Sequence, residues 1–518
     1  MVSRDALKGI TVKTSYSDYE ERNPKTIKTD YGNGITTTED LTYISKGSLF
    51  FNKIASRQIT KKATGQTDVV RKEYFLFDNK GNIIYNVKDS TDVNKVQTFY
   101  SNYDNYGNPR KVTTTTNSIS RSQSMTYCSY GRFLKTEIDN QFNDTTTYHY
   151  DESKGLLISK IDRLGTTTYD YDNFGRLKLT TYPNNIKTAN TLQWAGTIAG
   201  KPTNAKYYSY SETSLQSPVW VWYDALGREI RRDSYGLNNK KIMVTTEYNF
   251  KGQVSKISEP YFAENANNKL WEAIYTYDRF GRDSTVVTQM GTTTYVYSDT
   301  TVTVISPSGT KKTTINSAGW VVEEETNGKK VNFTYYASGL VKTTTPQGGP
   351  PITLHYDLQG NRIKIDDPDA GVITSKYDGW GQLKQEKQKI HIAADSILTT
   401  YNYLPSGLLS SKSRNGETTN YGYDNLYRLK WISIAGKHSQ GFVYDQYDYI
   451  VQSNDTVDGS KVFVRKTEYD QYGRVSKEIY PGDYFITNYY DKYSYLTGIT
   501  DGNNTGIWQA LESNSKDS

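Results

Sequence analysis

The sequence predicts an all-β protein: tandem β-hairpins joined into one long, spiralling, curved sheet. Three observations predict it. The chain of 518 residues is polar yet aromatic-rich, with 35% apolar residues, 14% aromatics and 47 tyrosines. Tyrosine and threonine fit a pleated, half-buried surface better than a helix. One short motif recurs, read in Tyr171-Asp172-Asn-Phe-Gly175-Arg176, Tyr223-Asp224-Ala-Leu-Gly227-Arg228, Tyr277-Asp278-Arg-Phe-Gly281-Arg282 and Tyr469-Asp470-Gln-Tyr-Gly473-Arg474. The spacing is regular. From Tyr223 to Tyr490 the anchor positions fall about 22 residues apart, and a fixed period of this size means an array of small units.

Each unit reads as a hairpin. Before the motif, aromatics alternate, as in Tyr169/Tyr171, Tyr275/Tyr277 and Tyr421/Tyr423, and period two is a strand with one aromatic face. The Asp-x-x-Gly that follows is a turn. Asp accepts a backbone N–H two residues on, and Gly supplies the positive φ that closes a type I turn with a bulge. Gly175, Gly227, Gly281, Gly381 and Gly473 are therefore expected at positive φ. Beyond the glycine, aliphatic residues alternate again, as in Val475-Ser-Lys-Glu-Ile479. Looser copies keep the frame, among them Phe77-Asp-Asn-Lys-Gly-Asn, Tyr103-Asp-Asn-Tyr-Gly-Asn and Tyr377-Asp378-Gly-Trp-Gly381-Gln.

Residues 1–76 read as divergent N-terminal repeats, 77–490 as the regular array, and 491–518 as a polar tail without repeats. Only the step of 52 residues from Tyr171 to Tyr223 breaks the frame, and it holds about two eroded repeats or an insertion. Single hairpins cannot bury themselves, so stacked units share one sheet and contact mainly their neighbours. Twist accumulating strand by strand coils it. The expectation is an open, strongly curved scaffold with a concave face and at least one unpaired sheet end.

These residues resemble the RHS/YD-repeat family, whose signature is a Tyr-Asp-x-x-Gly-Arg core in units of this length. The resemblance covers residues 70–490 and includes Asp366-Asp-Pro-Asp-Ala-Gly371. It implies an RHS-type β-shell wound around a chamber, as in insecticidal toxin complexes, bacterial contact-dependent effectors and the animal teneurins. The family's Asp-Pro-x-Gly junction after the last repeats has no match beyond Tyr490, and 28 residues follow it. Neither self-cleavage nor a toxin activity is expected of this polypeptide. A secreted or cell-surface location is implied by the resemblance alone; Met1–Ile10 shows no apolar leader.

Charge and composition exclude several function classes. The net charge is +6, and pairs such as Lys240-Lys241 do not form the basic stripe of a nucleic-acid binder. No apolar run reaches the roughly 18 residues of a membrane-spanning helix. The single cysteine, Cys128, excludes an internal disulfide and a cysteine-cluster zinc site. His149, His355, His391 and His438 lack the i, i+4 partner of a zinc helix. Gly196-Thr-Ile-Ala-Gly-Lys201 is one residue short of a phosphate loop and runs into Pro202, so it reads as a turn. Asp367-Pro-Asp369-Ala-Gly371 offers too few oxygens for calcium. No catalytic, cofactor-binding or metal residue is assigned, and no enzyme activity is expected.

The tyrosines have two readings. They pack against adjacent repeats and bond through their hydroxyls, or they stack on sugar rings. Recurrence at one frame position favours packing between like units. The functional expectation is a non-enzymatic scaffold that encloses or presents another polypeptide, in toxin delivery or intercellular competition. The alternative is a cell-surface carbohydrate-binding or adhesion protein.

Overall fold

The computed structural model describes residues 2–5, 8–44, 52–389, 396–511 and 515. Among them are 45 strands and two short 3-10 turns, Leu237–Asn239 and Ala263–Asn268. Consecutive strands pair antiparallel, as expected of hairpins: Gly165–Tyr171 with Leu177–Thr181, Val219–Tyr223 with Glu229–Tyr235, Lys461–Tyr469 with Val475–Ile479. The sheet is open. Among the described residues its first strand, Val2–Asp5, pairs with Ile10–Glu20 alone, and its last, Gly506–Gln509, with Leu496–Asp501 alone.

The motif fixes register by a bulge placed one step before each anchor tyrosine. It falls between Asp170 and Tyr171, Trp222 and Tyr223, Thr276 and Tyr277, Lys376 and Tyr377, and Glu468 and Tyr469. An extra residue on one strand bends it and sharpens the local twist. Repeating that step in unit after unit is a local cause of curvature.

The expected tail boundary at residue 490 needs correction. Phe485–Tyr490 and Leu496–Asp501 are two arms of one hairpin, and Gly506–Gln509 adds a further strand. The Tyr490-Asp491 turn therefore has its return strand, although Ser494 stands where glycine was looked for. The long step between Tyr171 and Tyr223 is two repeats. Lys187–Trp194 and Tyr207–Thr213 pair as a hairpin whose connection, residues 195–206, is lengthened. Gly196 and Gly200 take positive φ within that connection, so the phosphate-loop look-alike is a pair of turns.

The chain divides into two units, residues 1–143 with 294–420, and residues 144–293 with 421–518. Each contains an earlier and a later stretch of hairpin ribbon. Within each, hydrogen bonds join residues some 254 to 285 positions apart, far beyond the repeat length. The later ribbon has returned to lie on the earlier one.

Candidate functional surface: the motif edge of the ribbon

Each ribbon has two edges. One carries the Asp-x-x-Gly turns and the other the plain hairpin turns. At the motif edge the aspartate does more than the sequence suggested. Asp224 Oδ1 accepts the N–H groups of Leu226 (2.9 Å) and Arg228 (3.0 Å), and Oδ2 accepts Arg228 Nε at 2.7 Å. Asp172, Asp278 and Asp470 repeat the pattern with Arg176, Arg282 and Arg474. Asp378 keeps the two backbone bonds, to Trp380 and Gln382. Burial pushes the Asp224 carboxyl up, but hydrogen bonds from the Arg228 side chain and the N–H groups of Arg228 and Leu226 outweigh it. The net result lies below the usual carboxylate range. Gly175, Gly227, Gly281, Gly381 and Gly473 have φ between 75° and 83°, as the turn model requires.

The arginine ties one turn to the next. Arg228, Arg428 and Arg474 lie over the rings of Tyr248, Tyr444 and Tyr490, at 4.6, 4.5 and 4.6 Å from the centroids. At three positions where the motif has Asn or Gln instead, the amide reaches the next turn's glycine carbonyl, whereas Asn82 and Asn361 bond back to Asp78 and Asp357. Asn108 bonds Gly131, Gln253 bonds Gly281 and Gln382 bonds Gly407 at 2.7, 3.1 and 2.8 Å.

The anchor tyrosines complete the ladder. Five of them donate the hydroxyl to a carbonyl just past the preceding turn: Tyr171 to Leu157, Tyr248 to Glu229, Tyr277 to Val254, Tyr469 to Ile450 and Tyr490 to Val475, all between 2.6 and 3.0 Å. Burial pushes these phenols up, so they remain protonated donors. Tyr223 differs. Its ring stacks on Tyr207 at 4.9 Å, beside the buried cluster of Ala195, Ala205 and Trp222. Beneath that cluster Asp233 is fully buried and fully satisfied, accepting from Trp222 Nε1 (2.9 Å) and Arg231 Nε (2.6 Å) with Lys241 Nζ at 3.0 Å.

The motif edge also makes the long-range contacts within each unit. In the first unit Arg121 donates to the Pro405 carbonyl at 3.2 Å and to Gln382 Oε1 at 3.0 Å, and its guanidinium lies 3.9 Å from the Trp380 ring centroid. Ser338 O accepts Lys61 Nζ at 3.4 Å, and Lys342 donates to Gln66 at 3.1 Å. Gly379, between Asp378 and Trp380, sits so close to the earlier ribbon that a Cβ would lie 1.7 Å from Thr116 Oγ1. In the second unit Arg163 pairs with Asp448 at 2.6 Å, and Ser494 Oγ donates to Leu215 O at 2.6 Å. In both units the motif edge of the later ribbon rests on the plain edge of the earlier one. None of this was read from the sequence. For Gly379 a signal existed, a second glycine inside the turn.

The residues examined for chemistry do not come together. His149 and His438 are exposed strand residues, and His355 Nδ1 lies 3.3 Å from the Tyr336 hydroxyl. His391 lies outside the described residues. Asp367 caps its own turn, accepting the N–H groups of Asp369 and Ala370. Among the described residues no three His, Cys, Asp or Glu side chains gather as a metal site, and no helix is long and apolar enough to cross a membrane.

Two family models match this chain, the RHS repeat over residues 150–186 and the teneurin YD-shell over residues 310–450. Over those residues the chain is similar to RHS and YD-shell repeats. Its fold is similar to the crystal structure of TcdB2-TccC3 without the hypervariable C-terminal region. The TM-score is 0.54 at 11% identity over 95% of this chain. The Photorhabdus luminescens Tc holotoxin pore aligns over 96% of the chain at 11% identity, with a TM-score of 0.48. This chain spans about 40% of the length of each of those chains. No curated protein matches it significantly.

Proposed function

We propose that this chain is a non-enzymatic scaffold, a β-shell segment that encloses or presents another polypeptide. The observation that supports it is how the motif uses its polar groups. Aspartate, arginine and tyrosine hydroxyl, the groups that could do chemistry, bond within the turn or to the adjoining repeat. A ladder of this kind builds a wall and leaves no acid–base pair aimed at a substrate. Tyr171, Asp172, Gly175, Arg176 and their counterparts at 223–228, 277–282, 377–381 and 469–474 carry the architecture under this reading. A toxin-delivery or intercellular-competition role, and a secreted or cell-surface location, belong to the same proposal. The fold likeness to TcdB2-TccC3 supports the architecture.

The test is protection. The chain is co-expressed with the polypeptide encoded next to it, and the mixture is treated with protease. The scaffold reading expects the second polypeptide to survive only in the presence of the chain. Equal digestion with and without it refutes the reading.

The carbohydrate-binding or adhesion alternative has one observation in its favour. Trp194, Phe174, Leu192, Gln193 and Arg176 line a surface groove of about 640 Å³, and exposed rings beside polar groups suit a sugar. Titration with mono- and disaccharides, followed by tryptophan fluorescence in wild type and Trp194→Ala, checks it. A saturable change lost in the variant supports the alternative, and no change removes it.

A further inference from the structure

Within the second unit, the contact between ribbons is made by the tips of the motif turns. The third residue of a motif turn on the later ribbon lies against the plain edge of the earlier one. Tyr447 lines a pocket of about 480 Å³ with Leu164, Tyr182, Pro183 and Ile186. Tyr493, in the same turn position, stacks on Tyr235 at 5.6 Å and bonds Asn239 at 3.0 Å. Beside them Asp448 pairs with Arg163.

The earlier ribbon of this unit carries the same kind of side chain, flanked by cations of its own turns: Arg176 lies over Phe174, and Arg279 and Arg282 lie over Phe280. Its third turn positions are Phe174, Leu226 and Phe280, and Phe250 occupies the neighbouring turn position. Phe174, Leu226 and Phe250 are 84%, 76% and 95% exposed, and Phe280 is half-exposed at 49%. Large apolar side chains in an exposed row mark an interaction edge.

The later ribbon carries a second socket on its plain edge. The socket that Tyr447 borders is built on Tyr182-Pro183-Asn184-Asn185-Ile186, closed by Tyr182 N–H to Ile186 O at 2.9 Å, with Asn185 at φ 61°. Tyr480-Pro481-Gly482-Asp483-Tyr484 closes the same way, Tyr480 N–H to Tyr484 O at 2.7 Å, with Asp483 at φ 62°. Its Tyr484 is 52% exposed.

We propose that two copies of this chain stack end to end. The Phe174–Leu226–Phe280 row of one would enter the Tyr480–Tyr484 edge of the other, repeating the contact that joins the two ribbons of the second unit. Continuity with that contact selects a second copy as occupant, because one chain carries both an uncovered plug row and an uncovered socket of matching kind. Plug and socket are different surfaces, so the contact is heterologous, and each added copy presents a fresh plug row and socket. The inference goes beyond the scaffold proposal and holds whether or not the chain encloses a polypeptide.

Sedimentation velocity on the full chain over a concentration series tests it. Wild type is expected to form dimers and larger species as concentration rises. A plug variant, Phe174→Ser/Leu226→Ser/Phe280→Ser, and a socket variant, Tyr484→Arg, are each expected to remain monomeric with unchanged circular dichroism. Mixed together they are expected to form dimers and nothing larger, since one intact plug row then meets one intact socket. Wild type that stays monomeric throughout overturns the proposal. So does a plug variant that associates like wild type, or a mixture that shows no dimer.

Discussion

Removing the turn aspartate at position 224 separates its two jobs. Asp224→Asn keeps an oxygen for the N–H groups of Leu226 and Arg228 but loses the charge that holds Arg228. Asn249 already works this way in its own turn, accepting from Lys251 N and Gln253 N at 2.9 and 3.0 Å. The loss is one charge-assisted bond to a partly exposed arginine, about 1 kcal/mol. Asp224→Ala removes all three acceptor contacts. Two backbone N–H groups then lose their partner, and the cost rises to about 3 kcal/mol. In a repeat array such a loss stays local, so global melting is a poor readout. Amide hydrogen exchange across Val219–Tyr235 reads it directly, and a cost of this size speeds exchange roughly 100-fold for Ala and about 5-fold for Asn. The pH dependence has a definite sign. The folded carboxyl lies below its ordinary value, so its contribution is complete above the ordinary carboxylate pKa. It is lost as pH falls through the folded value. Wild type and Asp224→Asn should therefore converge in acid. Equal exchange in the Ala and Asn variants at neutral pH would refute the two-job account.

Gly227→Val should cost about 1–2 kcal/mol locally, because φ is 79° and the added Cβ lies 3.2 Å from the Tyr207 hydroxyl; exchange of the same strands measures it. Gly379→Ala should loosen residues 372–389 and the region around Thr116 together, since both sides of that contact must shift. Arg121→Ala should leave its own hairpin folded and raise protease sensitivity at Pro405, whose carbonyl it holds. Tyr248→Phe should cost about 1 kcal/mol, the usual net worth of one hydrogen bond, with Glu229 O left to water. Exchange at Glu229–Tyr235 reads that loss.

The hairpin and its turn were legible because their causes are local. Asp172 and Gly175 act within four residues, and alternation such as Tyr169/Tyr171 is the pleat itself. The hydroxyl bonds of the anchor tyrosines were half legible. Recurrence at one frame position pointed to packing on a neighbouring unit, but not to the carbonyl of Val254 or Val475. The arginine's double role at Asp224 and Tyr248 was missed, because its second partner lies in the next repeat. The Ser494 turn hid its return strand by lacking glycine. Least legible were the contacts of Arg121 with Pro405 and Arg163 with Asp448. Their separation is set by how many strands the ribbon needs to come round, a sum of small twists with no motif of its own.

The central claim is that, within each unit, the motif edge of the later ribbon rests on the plain edge of the earlier one. The direct test places a cysteine at each end of one ion pair, Arg163→Cys with Asp448→Cys, in a Cys128→Ser background, and applies a short bismaleimide cross-linker. The account predicts a fast intramolecular cross-link, seen as a mobility shift of the monomer band and as a linked peptide pair by mass spectrometry, with neither single-cysteine chain showing it. A double-cysteine chain that reacts at both thiols yet yields no link between residues 163 and 448 contradicts the account.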